Sequence, residues 1–322
     1  MSASEAIGID LGGTKMLLGV LGEEPRALWE SRERSAGESE DELVELVVRE
    51  IGEARAARNG EVEAIGMGIP ATIDRERGVA LSAVNLPIED LPLRDLVAER
   101  TGLPAFLDND ANVAALAEHL FGAARGARNA VMLTIGTGIG GGLILDGRLY
   151  RGASGAGAEL GHMPIDLDGP RCQGNCPGRG CAETMASGTA IGREGRTAAE
   201  REPDSALGRL LAAGEKIDGK VVTELAQGGD EIAIGVFDRV GRNLGVALAG
   251  YANIFEPEVI VIGGGVLAAG DLLLEPARAE LAARALPPMS RTPVVAAELG
   301  EDAGMIGAAA MARLELQAEQ EG

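Results

Sequence analysis

The sequence predicts an α/β protein, because strand-like and helix-like segments alternate along most of its 322 residues. Near the start, Ile7, Ile9 and Leu11 alternate with small or polar residues, which is the two-residue period of a strand. The same pattern of strand, glycine turn and strand occurs over residues 7–20 and again over residues 131–145. This repetition predicts two similar halves.

The first half is predicted to contain a hairpin, a helix, a buried strand and then a strand that leads into a second helix. The returning strand of the hairpin is MLLGVLG. Residues 39–58 carry apolar side chains at i, i+3, i+4 and i+8, which is typical of a helix. A buried strand is predicted over AIGMGIPATID, ending in a loop at Pro70. The segment FLDNDAN predicts a strand end and a helix that begins near Asn109 or Asp110.

The second half repeats the hairpin and is otherwise mostly helical. Its hairpin is AVMLTIGTGIGGGLILDGRL. Helices are predicted over SGTAIGREGRTAAE, SALGRLLAAGEK, VVTELAQGG and IAIGVFDRVGRNLGVALAGYANIF. A buried strand with a glycine end is predicted at PEVIVIGGGVL, and a closing helix at DAGMIGAAAMARLELQAEQ.

The charge and the N-terminus limit the classes of partner. A formal charge of -21 opposes binding to nucleic acid or to an anionic membrane surface, because both are negatively charged. The first residues, MSASEAIGID, have neither a basic nor an apolar signal region, and no apolar run is long enough to span a bilayer. We therefore expect a cytoplasmic protein with reduced thiols.

Four metal-binding side chains lie close together in the sequence. His162, Cys172, Cys176 and Cys181 include all three cysteines of the chain and one of its two histidines. Three thiolates and one imidazole form a complete tetrahedral zinc set, and a closed set of four protein ligands is typical of a structural site. The alternative is three unrelated core thiols, but glycine, proline and arginine surround these cysteines rather than an apolar run.

Two familiar phosphate motifs are excluded because each continues into a strand. Gly136, Gly138 and Gly141 satisfy G-x-G-x-x-G, but that fingerprint requires a helix directly afterwards and here a strand comes next. Gly8 through Lys15 resembles a P-loop with its last two residues exchanged, and it too leads into a strand rather than a helix.

The two glycine turns remain candidates for binding phosphate in another way. A turn of glycine and threonine presents backbone N–H groups and a hydroxyl to an anion, and Thr14 and Thr137 stand at the two turns. Lys15 adds a positive charge, and Asp10 supplies a carboxylate that could hold Mg²⁺ beside phosphates. The alternative is two ordinary hairpins.

The sum of these motifs resembles the actin-like sugar kinases, and within them the ROK family (repressors, uncharacterised frames and sugar kinases). IGIDLGGTK and LTIGTGIGGGLI are similar to the two phosphate segments, and VIVIGGGV is similar to the adenosine segment. GAELGHMPID, followed by the cysteines and CAE, is similar to the metal segment of the ROK family. The closest members by this resemblance are bacterial glucokinases.

The resemblance implies two actin-like, ribonuclease H-like domains with a cleft between them. The small domain would cover residues 1–120 with the closing helix at about 303–320. The larger domain would cover residues 121–302 and include a zinc loop at 162–181.

The cysteine spacing departs from the family pattern C-x-C-G-x-x-G-C-x-E in one respect. Two extra residues separate Cys172 from Cys176.

The resemblance also implies the residues of the site. It assigns the general base to Asp110; the alternative from the residues alone is that Asp110 caps the following helix. The sugar-contacting positions would be Asn85, Asn109, Asp110, Glu159, His162 and Glu183. The nucleotide-binding positions would be Asp10, Gly12, Gly13, Thr14, Lys15, Gly136, Thr137, Gly138, Gly264 and Gly265.

The implied activity is ATP-dependent phosphorylation of a hexose, with glucose as substrate, Mg²⁺ accompanying ATP and a structural Zn²⁺. Within the kinase class, N-acetylmannosamine, N-acetylglucosamine, fructose or mannose as substrate and polyphosphate as donor stay open. A sugar-binding regulator is the alternative outside that class; the first strand begins by Ile7, so we expect no preceding DNA-binding domain. The family implies a homodimer or homotetramer.

Overall fold

The computed structural model describes residues 5–34, 39–58 and 61–321. The strands are β1 (Glu5–Leu11), β2 (Met16–Leu21), β3 (Ala27–Glu33), β4 (Val62–Ile69), β5 (Ala71–Asp74), β6 (Val79–Ala83), β7 (Glu89–Leu91), β8 (Ala105–Asn109), β9 (Ala130–Ile135), β10 (Ile139–Leu145), β11 (Arg148–Tyr150), β12 (Val259–Gly263) and β13 (Val294–Ala296). The helices are α1 (Glu40–Ala57), α2 (Leu93–Thr101), α3 (Asp110–Phe121), α4 (Ala182–Ala186), α5 (Gly188–Arg201), α6 (Ala206–Ala212), α7 (Gly219–Gln227), α8 (Glu231–Phe255), α9 (Asp271–Arg284) and α10 (Ala303–Glu321). The predicted α/β class is confirmed.

The chain divides into two compact units. The first unit contains residues 1–126, 142–158 and 298–322, and the second contains residues 127–141 and 159–297. The first unit therefore includes residues 142–158 as well as the closing helix. The predicted domain limits stay a prediction.

Two five-stranded sheets have the same strand order. The first is ordered β3-β2-β1-β4-β8 and the second β11-β10-β9-β12-β13. In the first, β1 pairs with β2 in antiparallel fashion and with β4 in parallel. In the second, β12 runs parallel to both β9 and β13. The repeated order agrees with the two similar halves predicted from the glycine hairpins.

Helix α10 packs very closely on the first sheet. Every residue from Ala303 to Ala312 is buried. A Cβ atom at Gly8 would lie 2.0 Å from the carbonyl oxygen of Met305, and one at Gly66 would lie 1.9 Å from that of Ala308. Glycine is therefore required on β1 and β4, because any side chain would push the helix off the sheet.

The helix predicted over residues 39–58 is α1, and its first turn is capped by Ser39, whose hydroxyl accepts a hydrogen bond from the Glu42 amide.

The loop predicted at Pro70 is only a bend, and β5 begins directly after it. Strand β5 forms a small sheet with β6 and β7 that the sequence did not predict. Its strands are three to five residues long, which is too short for a clear alternating pattern.

Within the described residues, no helix combines the length and the hydropathy needed to cross a membrane.

Candidate active site and metal cluster

The four predicted metal ligands come together in the second unit. One ligand atom from each of His162, Cys172, Cys176 and Cys181 lies within 4.8 Å of all the others. The Sγ of Cys172 is 3.4 Å from Nδ1 of His162, and the Sγ atoms of Cys176 and Cys181 are 4.0 Å apart. Tetrahedral zinc, with its usual bond lengths, separates two sulfurs by about 3.8 Å and sulfur from nitrogen by about 3.6 Å. The donor set therefore fits a structural zinc ion.

The loop between the cysteines closes tightly around the cluster. A Cβ atom at Gly178 would lie 3.0 Å from the Sγ of Cys181 and 3.3 Å from that of Cys176, so a larger residue would crowd the sulfurs. The two extra residues after Cys172 do not remove its sulfur from the cluster. Burial, together with the neighbouring thiol of Cys172, raises the pKa of Cys181 to about 12. A thiol in this position needs the charge of a metal ion to become a thiolate.

The imidazole of His162 directs its two nitrogens to different places. Nδ1 faces the cluster, and Nε2 lies 3.9 Å from a carboxylate oxygen of Glu159. Burial raises the pKa of Glu159, and the nearby Glu183 raises it further, while His162 opposes the rise. A metal bound at Nδ1 would fix the orientation of the ring and leave Nε2 directed toward Glu159.

Glu183 connects the metal loop to the turn between β9 and β10. It lies on α4, two residues after the ligand Cys181, and its Oε1 is 3.9 Å from the Sγ of Cys172. Its Oε2 accepts a hydrogen bond of 2.9 Å from the backbone N–H of Ile139. A Cβ atom at Gly138 would lie 2.2 Å from the same oxygen. The carboxylate therefore fixes the backbone of the predicted phosphate turn from one side.

The first residues of α5 also bind the β9–β10 turn. The Gly188 amide donates to the carbonyl of Gly136 at 2.8 Å, and the Thr189 hydroxyl donates to the carbonyl of Thr137 at 2.8 Å. Beside the turn lies a cavity of about 950 Å³, which is large enough for a nucleotide. The predicted residues Gly136, Thr137 and Gly265 line it; Gly138 and Gly264 are not among its lining residues.

Much of this cavity was missed by sequence reasoning. Helices α5 and α7 and the segment before α7 supply Thr189, Arg193, Arg196, Lys216 and Lys220 to its lining. Two of the chain's three lysines are in that set, so the scarcity of lysine was a signal that could have drawn attention to this segment. Helical periodicity could not show which helix faces would meet at a cavity.

The first glycine turn belongs to the first unit. The Gly12 amide donates to the Lys15 carbonyl at 2.9 Å, across the short loop that joins β1 and β2. The Lys15 ammonium is 2.7 Å from a carboxylate oxygen of Glu301, and both side chains are exposed. A Cβ atom at Gly13 would lie 2.6 Å from that of Asn85, so the predicted sugar ligand Asn85 packs directly on this turn.

Two carboxylates interact in the first unit near this turn. Burial raises the pKa of Asp10 to about 7, the charge of Asp110 adds to the rise, and Lys15 opposes it. The carboxyl group of Asp10 also lies against the backbone of Gly304, where a Cβ atom would be only 2.6 Å away. Asp10 is thus a partly protonated acid at neutral pH, within range of the charge of the predicted general base.

Asp110 is the first residue of α3, but the helix cap is Asn109. The Oδ1 of Asn109 accepts from the amides of Ala111 and Asn112, at 2.9 Å and 3.4 Å. Its Nδ2 donates to the carbonyl of Ala71 at 3.4 Å. The side chain of Asp110 accepts from the Ala111 amide at 2.8 Å. The helix therefore begins where it was predicted to begin, and the capping role falls to Asn109.

The fold and these residues define an α/β protein with two glycine hairpin turns and a cysteine-histidine cluster whose donors fit a metal ion. Residues 6–315 match the ROK family, so the chain belongs to that family. It is 40% identical to a glucokinase of Thermotoga maritima over 97% of this chain and 98% of that protein. A crystal structure of a ROK family glucokinase from Streptomyces griseus, in complex with glucose and AMPPNP, matches 97% of this chain and all of that one, with 36% identity and a TM-score of 0.83. The chain is also 30% identical to a xylose repressor of Bacillus spizizenii, over 76% of this chain and 59% of that protein.

Proposed function

We propose that this protein is an ATP-dependent hexose kinase that converts glucose to glucose 6-phosphate. The observation that carries the proposal is Asp110, the first residue of α3, whose charge acts on the buried carboxyl group of Asp10. Similarity to the Thermotoga glucokinase over 98% of that protein's length supports glucose as the substrate. The glucose and AMPPNP bound to the Streptomyces relative support a nucleotide donor.

Asp110 acts as the general base in this proposal. It accepts the proton of the primary hydroxyl of glucose as that oxygen attacks the terminal phosphate, a contribution of roughly 10²–10⁴ in rate. The other sugar hydroxyls bind to Asn85, Asn109, Glu159, His162 and Glu183. The Oδ1 of Asn109 is used by the helix cap and one N–H of its Nδ2 donates to the Ala71 carbonyl, so we assign the second N–H of Nδ2 to the sugar.

The glycine turns bind the nucleotide. We assign phosphate contacts to the backbone N–H groups of Gly136–Gly138 and of Gly12–Lys15, adenosine contacts to Gly264 and Gly265, and a positive charge to the ammonium of Lys15. Mg²⁺ accompanies ATP and would be held from Asp10, since carboxylate and phosphate oxygens suit this ion. When bound, it neutralises charge on the transferred phosphoryl group. The cysteine-histidine cluster would hold one structural zinc ion.

The test is a coupled assay of ADP release with glucose, mannose, fructose, N-acetylglucosamine and N-acetylmannosamine. We expect the highest kcat/KM with glucose and ATP. A preference for an N-acetylhexosamine would retain the kinase class but overturn glucose as the substrate, and activity with polyphosphate alone would overturn ATP as the donor. No ADP release with any of these sugars would contradict the proposal, leaving a sugar-binding regulator.

We further propose that the enzyme is cytoplasmic and assembles as a homodimer or homotetramer. Light scattering of the purified protein tests the assembly, and a monomeric mass at working concentration would contradict it.

Elemental analysis tests the proposed metal site. We expect one zinc per chain, and a well-folded, fully active preparation without zinc would contradict the role given to the cluster.

A further inference from the structure

A deeply buried carboxylate lies two residues before the proposed base. Asp108 is only 1% exposed. Its Oδ1 accepts from the Asn109 amide and from Nδ2 of Asn112, each at 2.8 Å. Its Oδ2 accepts from Nε of Arg151. Asp108 therefore binds one residue just before Asp110 in the sequence, Asn109, and one residue shortly after it, Asn112.

Arg151 comes from a distant segment of the same unit. Its side chain is 19% exposed, and its Nη2 is 3.6 Å from Oε1 of Glu315 on α10. Glu315 also pairs with Arg75, which follows β5. The backbone around Arg151 is closed by a hydrogen bond of 2.9 Å from the Gly157 amide to the Arg151 carbonyl. Arg151 thus connects the end of β8 to parts of the first unit that are remote in sequence.

We propose that Asp108, held by Arg151, is a positioning residue that sets the geometry of proton transfer at Asp110; this rests on the proposed function. Asp108 does not act on the substrate itself. It fixes the backbone amide before Asp110 and the Asn112 side chain in the first turn of α3. A misplacement of about 1 Å in a reacting group can cost roughly 10²-fold in rate.

The free-energy cost of burying the Asp108–Arg151 ion pair supports a role for it beyond stability. Burying two charges carries a desolvation penalty that their attraction offsets only with good geometry, and apolar residues of similar size often serve stability equally well. Here both carboxylate oxygens are used by donors from three residues, and two of those donors belong to the segment that carries the base. The pair is built to hold that segment in one conformation.

The principal test is Asp108→Asn, which keeps the shape and removes the charge. We expect kcat to fall about 10- to 100-fold, while the Kd for glucose by calorimetry stays within about threefold of the parent value. The matched control is Glu50→Gln. Glu50 is also a buried acid of the first unit, 2% exposed and bonded to Ser31 at 2.7 Å and to Arg49 at 2.9 Å. Ser31 lies on β3, at the opposite edge of the sheet from β8. Both variants should lower Tm, but only Asp108→Asn should lower kcat.

Arg151 gives a second set of variants in case Asp108→Asn does not fold. Arg151→Met should lose kcat without losing glucose affinity, and Arg151→Lys should recover part of it. The double variant Asp108→Asn, Arg151→Met should lose about the same factor as either single variant, because the two residues act as one unit.

The inference is overturned if a folded Asp108→Asn or Arg151→Met variant has a kcat within twofold of the parent. It is also overturned if Glu50→Gln loses the same fraction of kcat for the same fall in Tm. A parent protein without hexose-dependent ADP release contradicts the proposed function and this inference together. An active parent with unaffected variants contradicts the inference alone.

Discussion

Replacing Asp10 by asparagine should stabilise the first unit above neutral pH and leave its stability nearly unchanged near pH 4. Burial and the charge of Asp110 raise the pKa of Asp10 from 3.8 to about 7 in the folded protein. An acid with a raised pKa favours the folded state while it is protonated. That contribution is complete below about pH 4 and is lost as the pH rises toward about 7.

The change in the pKa of Asp10 sets the expected change in the free energy of unfolding. A change from 3.8 to about 7 corresponds to about 4 kcal/mol, at about 1.4 kcal/mol for each pH unit. The difference in the free energy of unfolding between Asp10→Asn and the parent should therefore grow by up to about this amount between pH 4 and pH 7, and then level off. Effects of pH on groups that do not interact with Asp10 are common to both proteins and cancel in the difference.

Urea unfolding measured by tryptophan fluorescence suits this test. Trp29 is the only tryptophan in the sequence and lies on β3, packed against the core of the first unit. Asp110→Asn should reduce the pH dependence of the parent, because the charge of Asp110 contributes to the raised pKa. A difference between Asp10→Asn and the parent that is the same at pH 4.5 and pH 8 would refute the reasoning.

Two further predictions concern the cluster and the close packing of the fold. Cys181→Ser should lower the zinc content and Tm and raise the KM for ATP several-fold, because Glu183 links the cluster to the Ile139 amide; an unchanged KM in the zinc-free protein would contradict that link. Gly66→Ala should destabilise the first unit by about 1–3 kcal/mol or more, since its Cβ would lie 1.9 Å from the Ala308 carbonyl. Gly52→Ala, on α1 with nothing within 4 Å of the added Cβ, should instead stabilise it by roughly 0.5–1 kcal/mol. Similar unfolding midpoints for these two glycine variants would contradict the packing argument.

The fold was predictable where local physics and residue type agree. Strong alternation and glycine turns define β1, β2, β9 and β10, and the spacing of apolar residues defines α1. The metal ligands were predictable because the chemistry of three cysteines and one histidine leaves few alternatives. The start of α3 was predictable from a run of helix-capping residues, although the sequence could not decide between Asn109 and Asp110 as the cap.

The rest depends on contacts between distant parts of the chain. No local pattern relates Asp108 to Arg151 or Lys15 to Glu301, because the members of each pair are far apart in the sequence and meet only in the folded chain. The cavity beside the β9–β10 turn is likewise lined by α5 and α7, whose sequences show a helix but not its neighbours. The resemblance to a family supplied the roles of individual residues, which composition and periodicity cannot assign.

The central claim is that Asp110 is the base for transfer of phosphate to a bound sugar. The most direct test compares glucose binding by calorimetry with ADP release for the parent and for Asp110→Asn. We expect the variant to bind glucose with an affinity within a few-fold of the parent and to lose about 10²–10⁴ in kcat. A variant that binds glucose and turns over within a few-fold of the parent would contradict the claim.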